Sequence, residues 1–173
     1  MTSTQFIFAA LTLIGLAFAS EHASASGNYL GKVGLSYTSH TSTDSGASTS
    51  TTRMIYDIGL DYKFTGGGGW CAGALYQKDA QGGNASVDRT SYGVSGGYMA
   101  PRDSGFFLIA TYFVVSTYGD FSGGNGYQAD LGYKFTPKNT PIFMQFSYKN
   151  YSYSKYDHSD TYIDPYIGVM LDF

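Results

Sequence analysis

Arg53-Met54-Ile55-Tyr56-Asp57-Ile58-Gly59-Leu60-Asp61-Tyr62-Lys63-Phe64 sorts its side chains onto two faces. Met54, Tyr56, Ile58, Leu60, Tyr62 and Phe64 fall on one parity, and Asp57, Asp61 and Lys63 on the other. A period of two is that of a β-strand, in which successive side chains point to opposite faces of the sheet. The same rule holds in four further segments. Tyr127, Ala129, Leu131, Tyr133 and Phe135 oppose Gln128, Asp130 and Lys134. Ile142, Met144, Phe146 and Tyr148 oppose Gln145 and Lys149. Tyr29, Val33, Leu35 and Tyr37 oppose Lys32 and Ser36, and Ile163, Ile167, Val169, Leu171 and Phe173 oppose Asp164, Tyr166 and Asp172. No charge in these five segments falls on the apolar face. A basic side chain turned to mid-bilayer lipid costs about 2–4 kcal/mol, which gives this exclusion a physical cause.

Period-two alternation delimits eight segments in all: 29–39, 53–64, 70–77, 90–99, 106–115, 127–135, 142–151 and 161–173. None has a helical period. The connections 65–69, 100–105 and 136–141 are short and carry Gly, Pro or Asn, as turns require. The other four, 40–52, 78–89, 116–126 and 152–160, read as longer loops, and the Ser/Thr-rich 40–52 as a mobile one. Short turns at one rim and long loops at the other are the arrangement of outer-membrane barrels. The expected fold is therefore all-β: an eight-stranded antiparallel up-and-down transmembrane β-barrel over residues 26–173.

Composition agrees with that class. Only 13% of residues are charged, about half of what a soluble domain carries, while 17 Tyr and 12 Phe suit strands and membrane interfaces. The formal charge of −3, with no basic cluster, argues against nucleic acid as a partner. A single cysteine, Cys71, allows no intramolecular disulfide and reads as a small apolar strand residue. Residues 1–25 read as a helical secretory signal, with an apolar run over Phe6–Ala19 and cleavage after Ala25 or, in competition, after Ala19. That run is shorter than the roughly 20 apolar residues a spanning helix needs. A chain without such a helix crosses a membrane only as a closed barrel.

An eight-stranded barrel is just wide enough for side chains to fill. Its polar parity holds Lys32, Lys63, Lys134 and Lys149 against Asp57, Asp61, Asp130, Asp164 and Asp172. These nearly balanced charges imply a lumen plugged by a hydrogen-bonded ion-pair network. Segment 106–115 (FFLIATYFVV) is apolar on both faces, beside Gly/Ala-rich neighbours at 70–75 and 93–97. Either its bulky residues fill space left by small neighbours, or the Gly/Ala wall meets another protomer, since small residues let backbones approach closely in lipid. Phe64, Trp70, Tyr98, Phe106, Phe135 and Phe173 near the short turns form one candidate aromatic girdle. Tyr37, Tyr76, Tyr92, Tyr112, Tyr148 and Tyr151 form the other.

With a leader, eight strands and a terminal Phe173 in place, the chain resembles the small outer-membrane β-barrel superfamily of the OmpA/OmpX type. The residues that carry the resemblance are Ile167, Val169, Leu171 and Phe173, a pattern that in that family is read by the barrel-assembly machinery. The resemblance implies the outer membrane of a Gram-negative bacterium, with its lipid and lipopolysaccharide as partners. It implies no single function, since members include adhesion and defence proteins, narrow pores, structural anchors and lipid-modifying enzymes.

Chemical motifs are sparse. His22 lies in the leader, and His40 and His158 lie at loop bases; Ser39-His40 and His158-Ser159-Asp160 are possible fragments of a lipid A-modifying site without a surrounding motif. Asp79, Asp88, Asp120, Asp157 and Asp160 read as solvated loop charge, without the spacing of an EF-hand or a His/Cys metal site. Gly66–Gly69 lacks the lysine and helix of a phosphate loop. The expectation is a non-enzymatic barrel with a structural or surface-interaction role and no cofactor or metal. The rival readings are a porin-like channel, conducting through the lumen or through a gap created by oligomerisation, and a lipid A-modifying enzyme. A soluble lipocalin-like barrel would need charges on the outer parity, which 53–64 and 127–135 contradict.

Overall fold

The computed structural model describes residues 28–44, 47–64, 69–82, 87–100, 105–136 and 141–172, with side chains other than those of 40–50. The leader expected at 1–25, Phe173 and most of the short turns lie outside the described residues. Eight strands follow one another: β1 (Tyr29–Asp44), β2 (Ala47–Lys63), β3 (Gly69–Gly82), β4 (Asp88–Met99), β5 (Gly105–Tyr118), β6 (Phe121–Phe135), β7 (Ile142–Tyr153) and β8 (His158–Asp172). Each pairs antiparallel with its neighbours in sequence, and β8 returns to β1 to close the barrel.

Register fixes the tilt. Cα partners lead from Leu30 through Asp61, Gly73, Ser95, Thr111, Gln128 and Lys149 to Tyr162. Across the closing seam, however, Leu30 faces Asp172, ten residues further along β8. A stagger of this kind is what closing a sheet requires, with strands inclined at about 35–45° to the barrel axis.

Alternation along each strand sends one set of side chains into the lumen and the other to the outer wall. Apolar side chains pack inside in two clusters. Leu30, Ile55, Met99, Phe107, Ile109, Phe143, Tyr166 and Met170 form the first. Leu75, Phe113, Tyr151 and Tyr153 form the second. The doubly apolar 106–115 segment is explained by space: Phe107, Ile109 and Phe113 point inward while Phe106, Leu108 and Tyr112 point outward. Small inner residues make that room. A Cβ at Gly132 would run into the Phe107 ring and stand 2.7 Å from the Met144 carbonyl oxygen. Phe107 also meets Phe143 edge-on, with ring centroids 5.9 Å apart. After Phe113 the β5 register slips, and Val114 and Val115 are consecutive yet both exposed, the mark of a β-bulge.

Much of the four segments expected as long loops is paired strand among the described residues. β1 and β2 pair as far as Asp44↔Ala47, so most of 40–52 is hairpin. β3 runs to Gly82 and β4 starts at Asp88; β5 and β6 are joined by Gly119-Asp120, with Gly119 at φ 56°; β7 and β8 are joined through one 3₁₀ turn at Ser154–Tyr156. Ser, Thr, Gly and Asn suggested unpaired backbone, but Thr is a strand former and the ladder tolerates polar side chains where both faces meet water. Tyr151, expected in an outer girdle, is instead fully buried in the lumen, because it stands at odd spacing from the outward Tyr148.

Gly132→Ala is expected to cost about 1–3 kcal/mol through overpacking. It would lower the urea midpoint for unfolding, and Phe107→Leu in the same chain would restore part of the loss.

Candidate functional site

The lumen gathers most of the chain's ionisable chemistry. Among the described residues six cations face inward (Lys32, Arg53, Lys63, Arg89, Lys134, Lys149), with seven carboxylates (Asp57, Asp61, Asp79, Asp130, Asp160, Asp164, Asp172). At the short-turn rim, Lys63 and Lys134 share Asp172 at 2.8 and 2.7 Å. Mid-lumen, Lys32 donates to Asp130 at 3.0 Å. Gln128 donates to the same carboxylate at 2.8 Å, and accepts from Gln77 at 2.9 Å. Gln77 also donates to Asp57 at 2.8 Å and accepts from the Tyr151 hydroxyl. Asp61 accepts from Ser95 at 2.5 Å. Lys149 donates to the Tyr166 hydroxyl and stands 3.2 Å from Asp164 Oδ2. Asp57 and Asp61 therefore hold amide and hydroxyl donors where the other five carboxylates hold cations. All eight lumen residues inferred from parity, namely Lys32, Asp57, Asp61, Lys63, Asp130, Lys134, Lys149 and Asp164, are buried on the inner face.

Towards the opposite rim lies a second layer that parity reading stopped short of. Asp79 accepts from Arg53 at 2.7 Å and from Arg89 at 3.3 Å. Arg89 also donates to the Tyr153 hydroxyl at 3.0 Å and to Asp160. Its guanidinium carbon lies 4.3 Å from the Tyr151 ring centroid and 4.5 Å from that of Tyr118. Arg53 reaches Asp164 at 3.1 Å and stacks 3.7 Å over Tyr162. Planar guanidinium groups suit this double duty, forking to carboxylates while stacking on rings. Asp79 and Asp160, assigned to solvated loops, are thus lumen ligands for arginine. Carrying the alternation of Gln77 on to Asp79, and of Ser91 back to Arg89, would have found that acid and its arginine. Asp88 does remain at the rim, paired with Lys78 at 2.7 Å; Asp120 and Asp157 lie in turns.

Rings close the long-strand mouth. Phe121 stacks on Tyr156 (4.6 Å), and His158 lies parallel to Tyr118 (5.9 Å, 5°). His158 Nε2 stands 3.2 Å from Asp160 Oδ2, an oxygen already engaged by Arg89. The His40 side chain lies outside the described residues. Among the described residues no group of three or more His, Cys, Asp or Glu is placed to hold a metal ion.

The outer wall is the inverse of the lumen. Ile58, Leu60, Val94, Leu108, Leu131, Met144, Phe146, Ile163 and Ile167 are all exposed, Ile163 at 70%. Outward aromatics pair near the short-turn rim, Trp70 with Tyr98 and Phe106 with Tyr133, and higher up, Tyr76 with Tyr92 and Tyr127 with Tyr148. Between these tiers Ala72, Gly96, Ala110 and Ala129 are successive partners across β3–β6, and beside them lies a shallow groove of about 510 Å³ flanked by Val94, Tyr112 and Tyr127. The fold and its site define the class: a closed, eight-stranded, up-and-down barrel with a charged, filled interior. No protein family, curated protein or solved structure matches the chain.

Breaking a buried ion pair strands a charge and costs about 3–5 kcal/mol, whereas an exposed pair is worth about 0–1 kcal/mol. Asp79→Ala is therefore expected to lower unfolding stability several-fold more than Asp88→Ala, compared by urea titration under one set of conditions.

Proposed function

We propose that the protein is an outer-membrane β-barrel with a closed lumen and a structural or surface-interaction role at its long-strand rim. The observation that carries this reading is the inside-out distribution of side chains: most ionised groups inside, a belt of exposed apolar side chains outside. Apolar surface on this scale marks contact with a membrane or with protein. Strands of 12–17 residues exceed the ~9–11 a tilted strand needs to cross a bilayer, so the longer ones stand clear of the lipid at one rim. Residence in a Gram-negative outer membrane follows from the resemblance to OmpA/OmpX-type barrels, as does insertion by the barrel-assembly machinery. The filled lumen supports a non-conducting barrel: Lys32, Asp57, Gln77, Asp130 and Lys149 are each 2% exposed or less, which a water-filled pore of this width would not allow.

Self-association is a second reading, favoured by the Ala72–Gly96–Ala110–Ala129 row, where the wall is thinnest. A ring of protomers would revive the channel alternative; mass in mild detergent with bound lipid retained distinguishes it.

Leu131→Arg is expected to reduce folding into phospholipid vesicles by about 2–4 kcal/mol, against little change for Asn125→Arg near the rim. Equal tolerance of both would overturn the membrane reading. Planar-bilayer recordings of the wild-type monomer should show no large, stable conductance.

A further inference from the structure

The closing seam of the barrel is incomplete. β1 and β8 share six partner positions, Leu30–Leu35 with Ile167–Asp172, whereas every other neighbouring pair shares at least eleven. Above Leu35 and Ile167, nine residues of each strand (Ser36–Asp44 and His158–Tyr166) face the seam without a ladder.

The sequence itself stops the ladder. Met170 donates its backbone N–H to the Pro141 carbonyl, so even positions of β8 bond towards β7 and odd positions towards β1. Pro165 is odd. Its missing N–H therefore lies on the β1 side, opposite Tyr37 if the register continued, while its pairing with Phe146 needs no donor. On β1, the Asn28 carbonyl accepts from Lys63 of β2, so the odd positions of β1 turn to the seam. The slot is thus bordered by backbone groups of Tyr37, Ser39 and Ile163.

From inside, side chains replace the missing ladder. Arg53 passes behind β1 to Asp164 and stacks on Tyr162. Ser36, on the inner face at the first position beyond the ladder, is 2% exposed and its Oγ has no hydrogen-bond partner, while Asp164 Oδ2 faces Lys149 Nζ at 3.2 Å. Outside, the slot is flanked by exposed Tyr37, Ile163 and Ile167. Ile163 pairs directly with Tyr148, one of the aromatics expected where acyl chains give way to headgroups.

Resting on the membrane reading above, we infer that this slot between β1 and β8 binds the uncharged sugar headgroup of a glycolipid in the surrounding bilayer. The open edges and Ser36 offer both donors and acceptors, which hydroxyl groups match. Arg53, the cation behind the slot, is already held by Asp79 and Asp164. Among the described residues no lysine or arginine at the slot is left for a phosphate, and the lipid's tails would lie on Ile163 and Ile167.

Amide hydrogen exchange on the barrel in nanodiscs provides the test. In phosphatidylcholine alone, Tyr37, Ser39 and Ile163 should exchange at least about tenfold faster than Val33 and Val169 in the paired part of the seam. Adding monoglycosyl diacylglycerol should slow the three slot amides about tenfold and leave the paired ones unchanged. Ser36→Ala should weaken that response. Pro165→Val, which restores a donor to the Tyr37 carbonyl, should protect the amide at 165 and, as the ladder closes, that of Tyr37 without any glycolipid, and abolish the response. Slot amides as protected as Val33 in phosphatidylcholine alone would overturn the inference, as would equal slowing by an added phosphatidylglycerol. So would protection that grows with the number of barrels per disc, which would mark a second copy as the occupant. A barrel that inserts but ignores the headgroup sinks this inference alone; one that never enters the disc sinks the membrane reading with it.

Discussion

Closing an eight-stranded sheet on itself leaves a lumen about as wide as two rows of side chains, and everything else in this protein answers to that space. With a stagger of ten residues, alternate positions on all eight strands converge on one axis. They must fill the volume and satisfy one another there, since buried polar groups without partners are costly. The solution is layered. Aliphatic and aromatic residues around Phe107 and Phe143 occupy the region near the short turns. Above them, amides bridge carboxylates and lysines, and near the far mouth arginines lie between tyrosine rings.

Such an interior gives uniqueness more than raw stability. A buried ion pair gains little over well-packed apolar groups of the same volume, yet removing one partner is severe. Asp79 shows the logic, because one carboxylate positions two guanidinium groups, each of which also orients a second acid and stacks on a tyrosine ring. A register slip of one residue would expel the whole set onto the outer wall.

The architecture was readable because alternation and charge exclusion act on every strand independently; Asp57, Asp61 and Lys63 alone orient β2. What escaped had physical reasons. Ser, Thr and Gly at 40–52 and 116–126 carry no apolar period once a strand rises clear of a greasy surface, so composition suggested loops where the backbone pairs. Arg53 and Asp79 share a site only through the pairing of β2 with β3, and Arg89 joins them only through β4; one strand's pattern shows nothing of its neighbours' register. The bulge after Phe113 is likewise a two-strand property. Which side the absent donor of Pro165 faces is set in the same way, by the ladder between β7 and β8.

The distribution of charge between β8 and the other seven strands bears on how the barrel is made. Asp160, Asp164 and Asp172, all on β8, serve Arg89, Arg53, Lys149, Lys63 and Lys134. Without that strand the described residues of the inner face would hold six cations against Asp57, Asp61, Asp79 and Asp130; with it, their excess changes sign. A seven-stranded intermediate is therefore electrically unfinished as well as open along one side. Zipping in the last ribbon delivers neutralisation and enclosure in a single event, so a nearly complete barrel gains little until its final strand arrives.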